Sequence, residues 1–175
     1  MLLWLCLLLW TGSCWAGEMY GKGTWLGSDF YMPEDNLNDI NAIEFYYSAI
    51  GILKGFRVRI ESYWSEVYCH EGPIRQLLTL EEGEYVVSIE GDFKIYILSL
   101  VVTTSWGRRI PFGSREGHKF KSGNPLTGKV LTSLYGHCGP LGISKIGFGW
   151  NFPLVQEYDS MTPPSESTSA PSTTS

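Results

Sequence analysis

Leu80-Glu81-Glu82-Gly83-Glu84-Tyr85-Val86-Val87-Ser88-Ile89-Glu90-Gly91-Asp92-Phe93-Lys94 runs on into Ile95-Tyr96-Ile97-Leu98-Ser99-Leu100-Val101-Val102-Thr103-Thr104. In its first half Tyr85, Val87 and Ile89 alternate with Val86, Ser88 and Glu90, the period of a half-buried strand. The run from Ile95 to Thr104 is apolar and β-branched, which predicts a strand buried on both faces. Glu82-Gly83 and Gly91-Asp92 supply turn residues on either side of the first strand. The stretch therefore predicts paired strands and no helix.

The same period extends outward. Phe56, Val58 and Ile60 alternate with Arg57, Arg59 and Glu61, and Ile146, Phe148 and Trp150 alternate with Gly147, Gly149 and Asn151. Ile43, Phe45 and Tyr47 suggest a further strand. Gly72-Pro73, Trp106-Gly107 and Gly123-Asn124-Pro125 punctuate the intervals. No long segment combines helical periodicity with a capping signal. Short strands at this spacing predict an all-β sandwich, barrel or prism.

Both ends of the 175-residue chain read as appendages. Leu2 to Trp10 is an apolar run too short to span a bilayer, and small residues stand at Cys14 and Ala16. This predicts a secretory signal over residues 1–16, although its start carries no positive charge. From Thr162 the chain is Ser/Thr/Pro-rich, so residues 156–175 are expected as a disordered tail of the kind that carries O-glycans. Residues 17–155 remain for one domain of an exported protein with no membrane insertion.

Removing the signal leaves two cysteines, Cys69 and Cys138, and an oxidising compartment predicts that they pair. Cys69-His70 and His137-Cys138 make a poor zinc set, because adjacent ligands lack the spacer that turns both side chains to one ion. Cys69 and His70 point to opposite faces of an extended chain and cannot act as a catalytic dyad. No Gly-X-Ser-X-Gly elbow occurs. A net charge of −5 argues against nucleic acid. The residues point to a binding module without catalysis or a cofactor.

The opening stretch resembles the strand–turn–strand of jacalin-related lectins. Leu98 to Thr104 with Gly107-Arg108 and Phe112-Gly113 resembles the next hairpin of that family. Leu131, Tyr135-Gly136, Gly139, Ile143 and Ile146-Gly147-Phe148-Gly149-Trp150 resemble its last two strands. Trp15 to Gly21 and Gly147 to Leu154 are similar to its mammalian secretory branch. Lys54-Gly55-Phe56 and Tyr63 to Tyr68 are similar to a spermine-binding part of that branch. The resemblance spans Tyr20 to Leu154. It implies a β-prism, three antiparallel Greek-key sheets around a pseudo-threefold axis, with a sugar site built from loops at one end.

In the family a Gly-X-X-X-Asp loop precedes the last strand, and its carboxylate holds sugar hydroxyls. Here those two positions fall on Pro140 and Ser144. The resemblance places a sugar site at Gly21, Lys22 and Gly23, at Asp92, Phe93 and Lys94, and at Gly139, Leu141, Gly142, Ile143 and Ser144. It implies glycans on glycoproteins, mucins or microbial surfaces as partners, with neutral hexoses held weakly. Residues 105–130 add Arg108, Arg109, Arg115, Lys119, Lys121 and Lys129 against Glu116, which suggests a patch for acidic glycans. Residues 17–50 hold Glu18, Asp29, Glu34, Asp35, Asp39 and Glu44 against Lys22, an acidic edge that would suit a polyamine such as spermine.

Overall fold

The computed structural model describes residues 17–154. The expected signal and tail lie outside the described residues. The first strands are β1 (Met19–Tyr20), β2 (Ser28–Met32), β3 (Ile40–Tyr47), β4 (Leu53–Ile60), β5 (Tyr63–Trp64), β6 (Tyr68–Cys69) and β7 (Ile74–Thr79). They are followed by β8 (Val86–Phe93), β9 (Ile97–Thr104), β10 (Arg109–Phe112), β11 (His118–Ser122), β12 (Val130–Gly139) and β13 (Gly142–Asn151). The helical content of the described residues is one 3₁₀ turn at Pro125–Thr127, capped by the Asn124 side chain.

The strands form three antiparallel sheets, in the orders β5-β4-β3-β7, β10-β9-β8-β11 and β1-β13-β12-β2, with β6 also paired to β4. Each sheet is a central hairpin (β3–β4, β8–β9 or β12–β13) with an outer strand on either side. In each the fourth strand returns beside the first, which is the Greek-key order. The third sheet obeys the same rule only if β1 and β2 are counted after β13. The ends of the described chain therefore share one sheet, and the threefold repetition holds through the break.

The period-two residues meet in the middle. Phe45 and Phe56 from the first sheet, Ile89 and Leu100 from the second, and Leu134 and Ile146 from the third join one core cluster and are fully buried. Tight core packing of this kind is what fixes strand register, since a one-residue slip would turn every apolar side chain outward. Strand β9 departs from the expectation of burial on both faces. Ser99, Val101 and Thr103 are only half-buried, because the outer face of that sheet carries the charged side chains of Glu90, Asp92, Arg109, Lys119 and Lys121 in place of an apolar layer among the described residues.

Cys69 and Cys138 are disulfide-bonded, with Cα atoms 5.5 Å apart. The bond joins β6 of the first sheet to β12 of the third. Closing a loop over a sequence separation of 69 stabilises the fold by about 4 kcal/mol on the chain-entropy account.

Candidate functional site

The three hairpin turns lie at one end of the prism. They are 48–52 between β3 and β4, 94–96 between β8 and β9, and 140–141 between β12 and β13. A side chain at Gly142 would meet Ile52 and the Leu53 carbonyl, and one at Gly139 would meet the Tyr96 ring. These contacts show the turns converging.

A fourth segment, 21–27, lies across them. Gly21 has φ +114° and Gly27 has φ +134°, values that favour glycine. Both are also needed for close approach: a Cβ at Gly21 would run into the Ser144 carbonyl, and one at Gly27 into the Cys138 carbonyl. The Gly23 amide donates to Ser144 O at 3.2 Å, pinning the segment to β13. The Lys145 side chain runs over Gly23.

The expected sugar-site residues divide under this geometry. Gly21, Lys22, Gly23, Lys94, Gly139 and Leu141 come together around the converging turns, with Lys22, Lys94 and Leu141 exposed. Asp92 and Phe93 do not belong to a loop. They continue β8 with Gly91, which stays in the strand because the Phe120 ring occupies the space where its side chain would be. Phe93 packs against the core beside His118 and Phe120. The Asp92 carboxylate accepts from Gly117 N at 3.1 Å, Ser99 Oγ at 3.1 Å and Lys119 Nζ at 3.2 Å. Burial pushes that carboxyl up, but these donors outweigh it and hold its pKa below the usual value.

Gly142, Ile143 and Ser144 are buried in β13. Between the pairs His137↔Lys145 and Cys138↔Ile143, Ser144 is the extra residue of a bulge. Its hydroxyl is fully buried, donates to His137 O at 3.2 Å and lies 3.5 Å from Thr24 Oγ1. The position to which the sequence resemblance assigns a carboxylate thus carries a hydroxyl engaged in an internal hydrogen bond.

The basic segment is likewise largely satisfied within the protein. Arg109 Nη2 lies 2.8 Å and Lys121 Nζ 3.0 Å from the Glu90 carboxylate, holding its pKa below the ordinary value through those two hydrogen bonds. Lys119 is paired with Asp92. Arg108 grips Glu84 through Nε at 2.7 Å and Nη2 at 2.6 Å, at the opposite end of the prism from the turns. Arg115 donates to Ile50 O at 2.7 Å and has no carboxylate partner among the described residues. With Arg115, the cations Lys22, Lys54, Lys94 and Lys145 also lack such a partner, and all five stand around the converging turns.

The acidic edge is dispersed. Glu44 pairs with Arg57 and Asp29 with His137 Nδ1, at 2.7 Å in each case. At the end opposite the turns, Asp39 joins Glu61, Glu81 and Glu82 around a cleft of about 390 Å³ that also contains Arg59. Glu61, Glu81 and Glu82 lay outside the acidic run that the sequence singled out. Thr24, Trp25, Tyr96 and Lys145 at the turn end were also missed. For Trp25 a signal existed: an indole between Gly23 and Gly27 has little local sequence to pack against.

A prism of three Greek-key sheets that gathers its hairpin turns at one end is a binding scaffold of the β-prism class. Residues 21–149 match the jacalin-like lectin domain, and the chain belongs to that family of generally non-catalytic, carbohydrate-binding proteins. It is 31% identical over 152 residues to the rat prostatic spermine-binding protein, covering 86% of this chain and 53% of that one. The chain thus spans about half the length of that relative. It is 30% identical over 141 residues to the rat zymogen granule membrane protein 16, covering 79% and 81%. The crystal structure of a prostate-specific WGA16 glycoprotein lectin superposes with a TM-score of 0.70 at 36% identity, over 79% of this chain and 99% of that one.

Proposed function

We propose that the chain is a secreted lectin-like protein whose converging turns bind acidic glycans and have little hold on neutral hexoses. The observation that carries this reading is the buried Ser144 hydroxyl, bonded to His137 O, with five cations around it that have no carboxylate partner among the described residues. A hexose loses the charged acceptor that would bridge its hydroxyls, worth about 1.5–3 kcal/mol against roughly 1 for a neutral bond. A sulfated or sialylated chain instead meets Lys22, Lys94, Lys145 and Arg115, which have no carboxylate partner among the described residues. Its ligands would be glycans of mucins, glycoproteins or microbial surfaces. A glycan array carrying neutral, sialylated and sulfated chains tests this. Retention of acidic chains that falls with Lys22→Ala, Lys94→Ala and Lys145→Ala together is the expected result. Equal loss from Arg109→Ala and Lys119→Ala would return the site to the outer face of the second sheet.

A second reading has its own observation. The acidic cleft around Asp39, Glu61, Glu81 and Glu82 is remote from the turns, and the spermine-binding relative supports a polyamine there. Calorimetry with spermine on the wild-type chain and on Glu81→Gln with Glu82→Gln separates the two readings.

A further inference from the structure

The tips of the converging turns are apolar. Ile50, Ile95 and Leu141 each cap one of the three hairpins and are 61%, 54% and 54% exposed. Beside them on the 21–27 segment stand Trp25 and Leu26, 94% and 56% exposed. Surface aliphatic residues scattered singly need no explanation, but one at the tip of every symmetry-related turn, facing a common end, forms a patch. Nothing in the fold requires these residues. Turn positions between paired strands accept polar residues at no cost, so four aliphatic side chains and an indole held out in water run against stability.

The surroundings fix the chemistry of what would cover them. Lys22, Lys54, Lys94, Arg115 and Lys145 stand around the patch with no carboxylate partner among the described residues, so the complement is anionic. A sulfated polysaccharide would satisfy the cations and leave the aliphatic tips in water. A surface with anionic head groups above hydrocarbon satisfies both, the charges at head-group level and the tips just beneath. Trp25 has the amphipathic ring that settles at such an interface.

We infer that this end of the prism docks peripherally on anionic lipid surfaces, with Ile50, Ile95, Leu141, Leu26 and Trp25 entering the head-group layer inside a ring of basic residues. The docking is peripheral in this inference; among the described residues no helix is long and apolar enough to cross a membrane. The inference is independent of sugar binding. Both use the cations, and only lipid uses the tips.

The test uses the full secreted chain with vesicles of phosphatidylcholine alone or mixed with phosphatidylserine, and heparin retention measured in parallel. The chain should sediment with the mixed vesicles and not with phosphatidylcholine. Trp25 emission, taken as the difference from Trp25→Phe, should move to the blue on docking. Leu26→Ser, Ile50→Ser and Ile95→Ser combined should weaken vesicle binding on the order of tenfold or more and leave heparin retention unchanged. These side chains are exposed, so an unchanged circular dichroism spectrum is expected for the variant. A triple variant that binds vesicles like the parent would reduce the effect to charge alone and overturn the inference. A parent chain that retains heparin but stays in the supernatant would overturn it too and leave glycan binding standing. Vesicle binding without heparin retention would instead support lipid docking and count against the glycan reading.

Discussion

Arg108→Ala is the substitution whose consequence the structure specifies most closely. The Glu84 side chain is completely buried, Arg108 closes over it with two hydrogen bonds, and the Arg108 Nη2 also donates to Thr79 O at 2.9 Å. The Glu81 amide adds a third donor to Glu84, at 3.0 Å. This clamp fastens the 80–85 turn to the 105–108 turn. Hydrogen bonds, first from Arg108 and then from Thr104 and the Glu81 amide, together with the Arg108 charge, lower the Glu84 carboxyl to about 2 from 4.5, against the opposing effect of burial. A shift of that size corresponds nominally to about 3 kcal/mol. Because the Arg108 side chain is 44% exposed and so screened by solvent, and because the Glu81 and Thr104 donors remain, about 2 kcal/mol is expected for Arg108→Ala.

Loss of Arg108 leaves a buried carboxylate with fewer donors, so the midpoint of thermal unfolding should fall by roughly 6 °C at neutral pH. Arg108→Lys should recover less than half of this, since an ammonium cannot grip both oxygens in one plane. Glu84 has a depressed folded pKa, so its contribution is complete above about 4.5 and disappears as the pH falls toward 2. The gap between wild type and Arg108→Ala should close over that window. Denaturant titration of Arg108→Ala, Glu84→Gln and the double variant gives the coupling energy directly. A coupling below about 0.5 kcal/mol at pH 7, or a gap that widens in acid, would refute the clamp.

Further outcomes follow from other parts of the molecule. Thiol titration of the denatured chain from residue 17 on, made in an oxidising compartment, should detect no free cysteine, and Cys69→Ser with Cys138→Ser should lower stability by about 4 kcal/mol; two titratable thiols would remove the disulfide. Heparin retention should fall steeply between low and high salt, because exposed charges are screened over about 8 Å at physiological ionic strength; flat salt dependence would discount the five cations. Ser144→Asp alone should destabilise the chain by about 2 kcal/mol at pH 7, since its carboxylate would be buried facing His137 O. Such a carboxyl has a raised pKa, so the penalty should shrink in acid; a variant as stable as wild type that binds mannose or galactose would show that the site is intact apart from one side chain.

Those strands that carry a full apolar face were legible in the sequence. Phe56, Val58 and Ile60 in β4, and Ile146, Phe148 and Trp150 in β13, repeat every second residue because one face of each strand meets the core. The outer strands were not legible. β11 is His118-Lys119-Phe120-Lys121-Ser122, with Phe120 as its single buried apolar side chain, and one such residue shows no period. β2 contributes Phe30 and Met32 in the same sparse way. Gly91 was read as a turn because glycine usually marks one, whereas here the space belongs to the Phe120 ring from the neighbouring strand. That ring is distant in sequence, so local propensity could not reveal it.

The site shows the same division between nearness along the chain and nearness in space. Arg108, Arg109, Lys119 and Lys121 are dense in sequence. On antiparallel strands that density spreads them across a sheet face and an opposite turn, where Glu84, Glu90 and Asp92 meet them. The cations at the turn end without a carboxylate partner among the described residues are Lys22, Lys54, Lys94, Arg115 and Lys145, which no sequence window groups together. They converge because each Greek-key sheet returns a turn to the same end of the prism, and the 21–27 segment is laid over them by Gly21 and Gly27. Their exposed neighbours Ile50, Ile95 and Leu141 are collected by the same repetition. A binding surface assembled in this way can change its ligand by substitutions at single turn tips while the core residues that build the prism stay as they are.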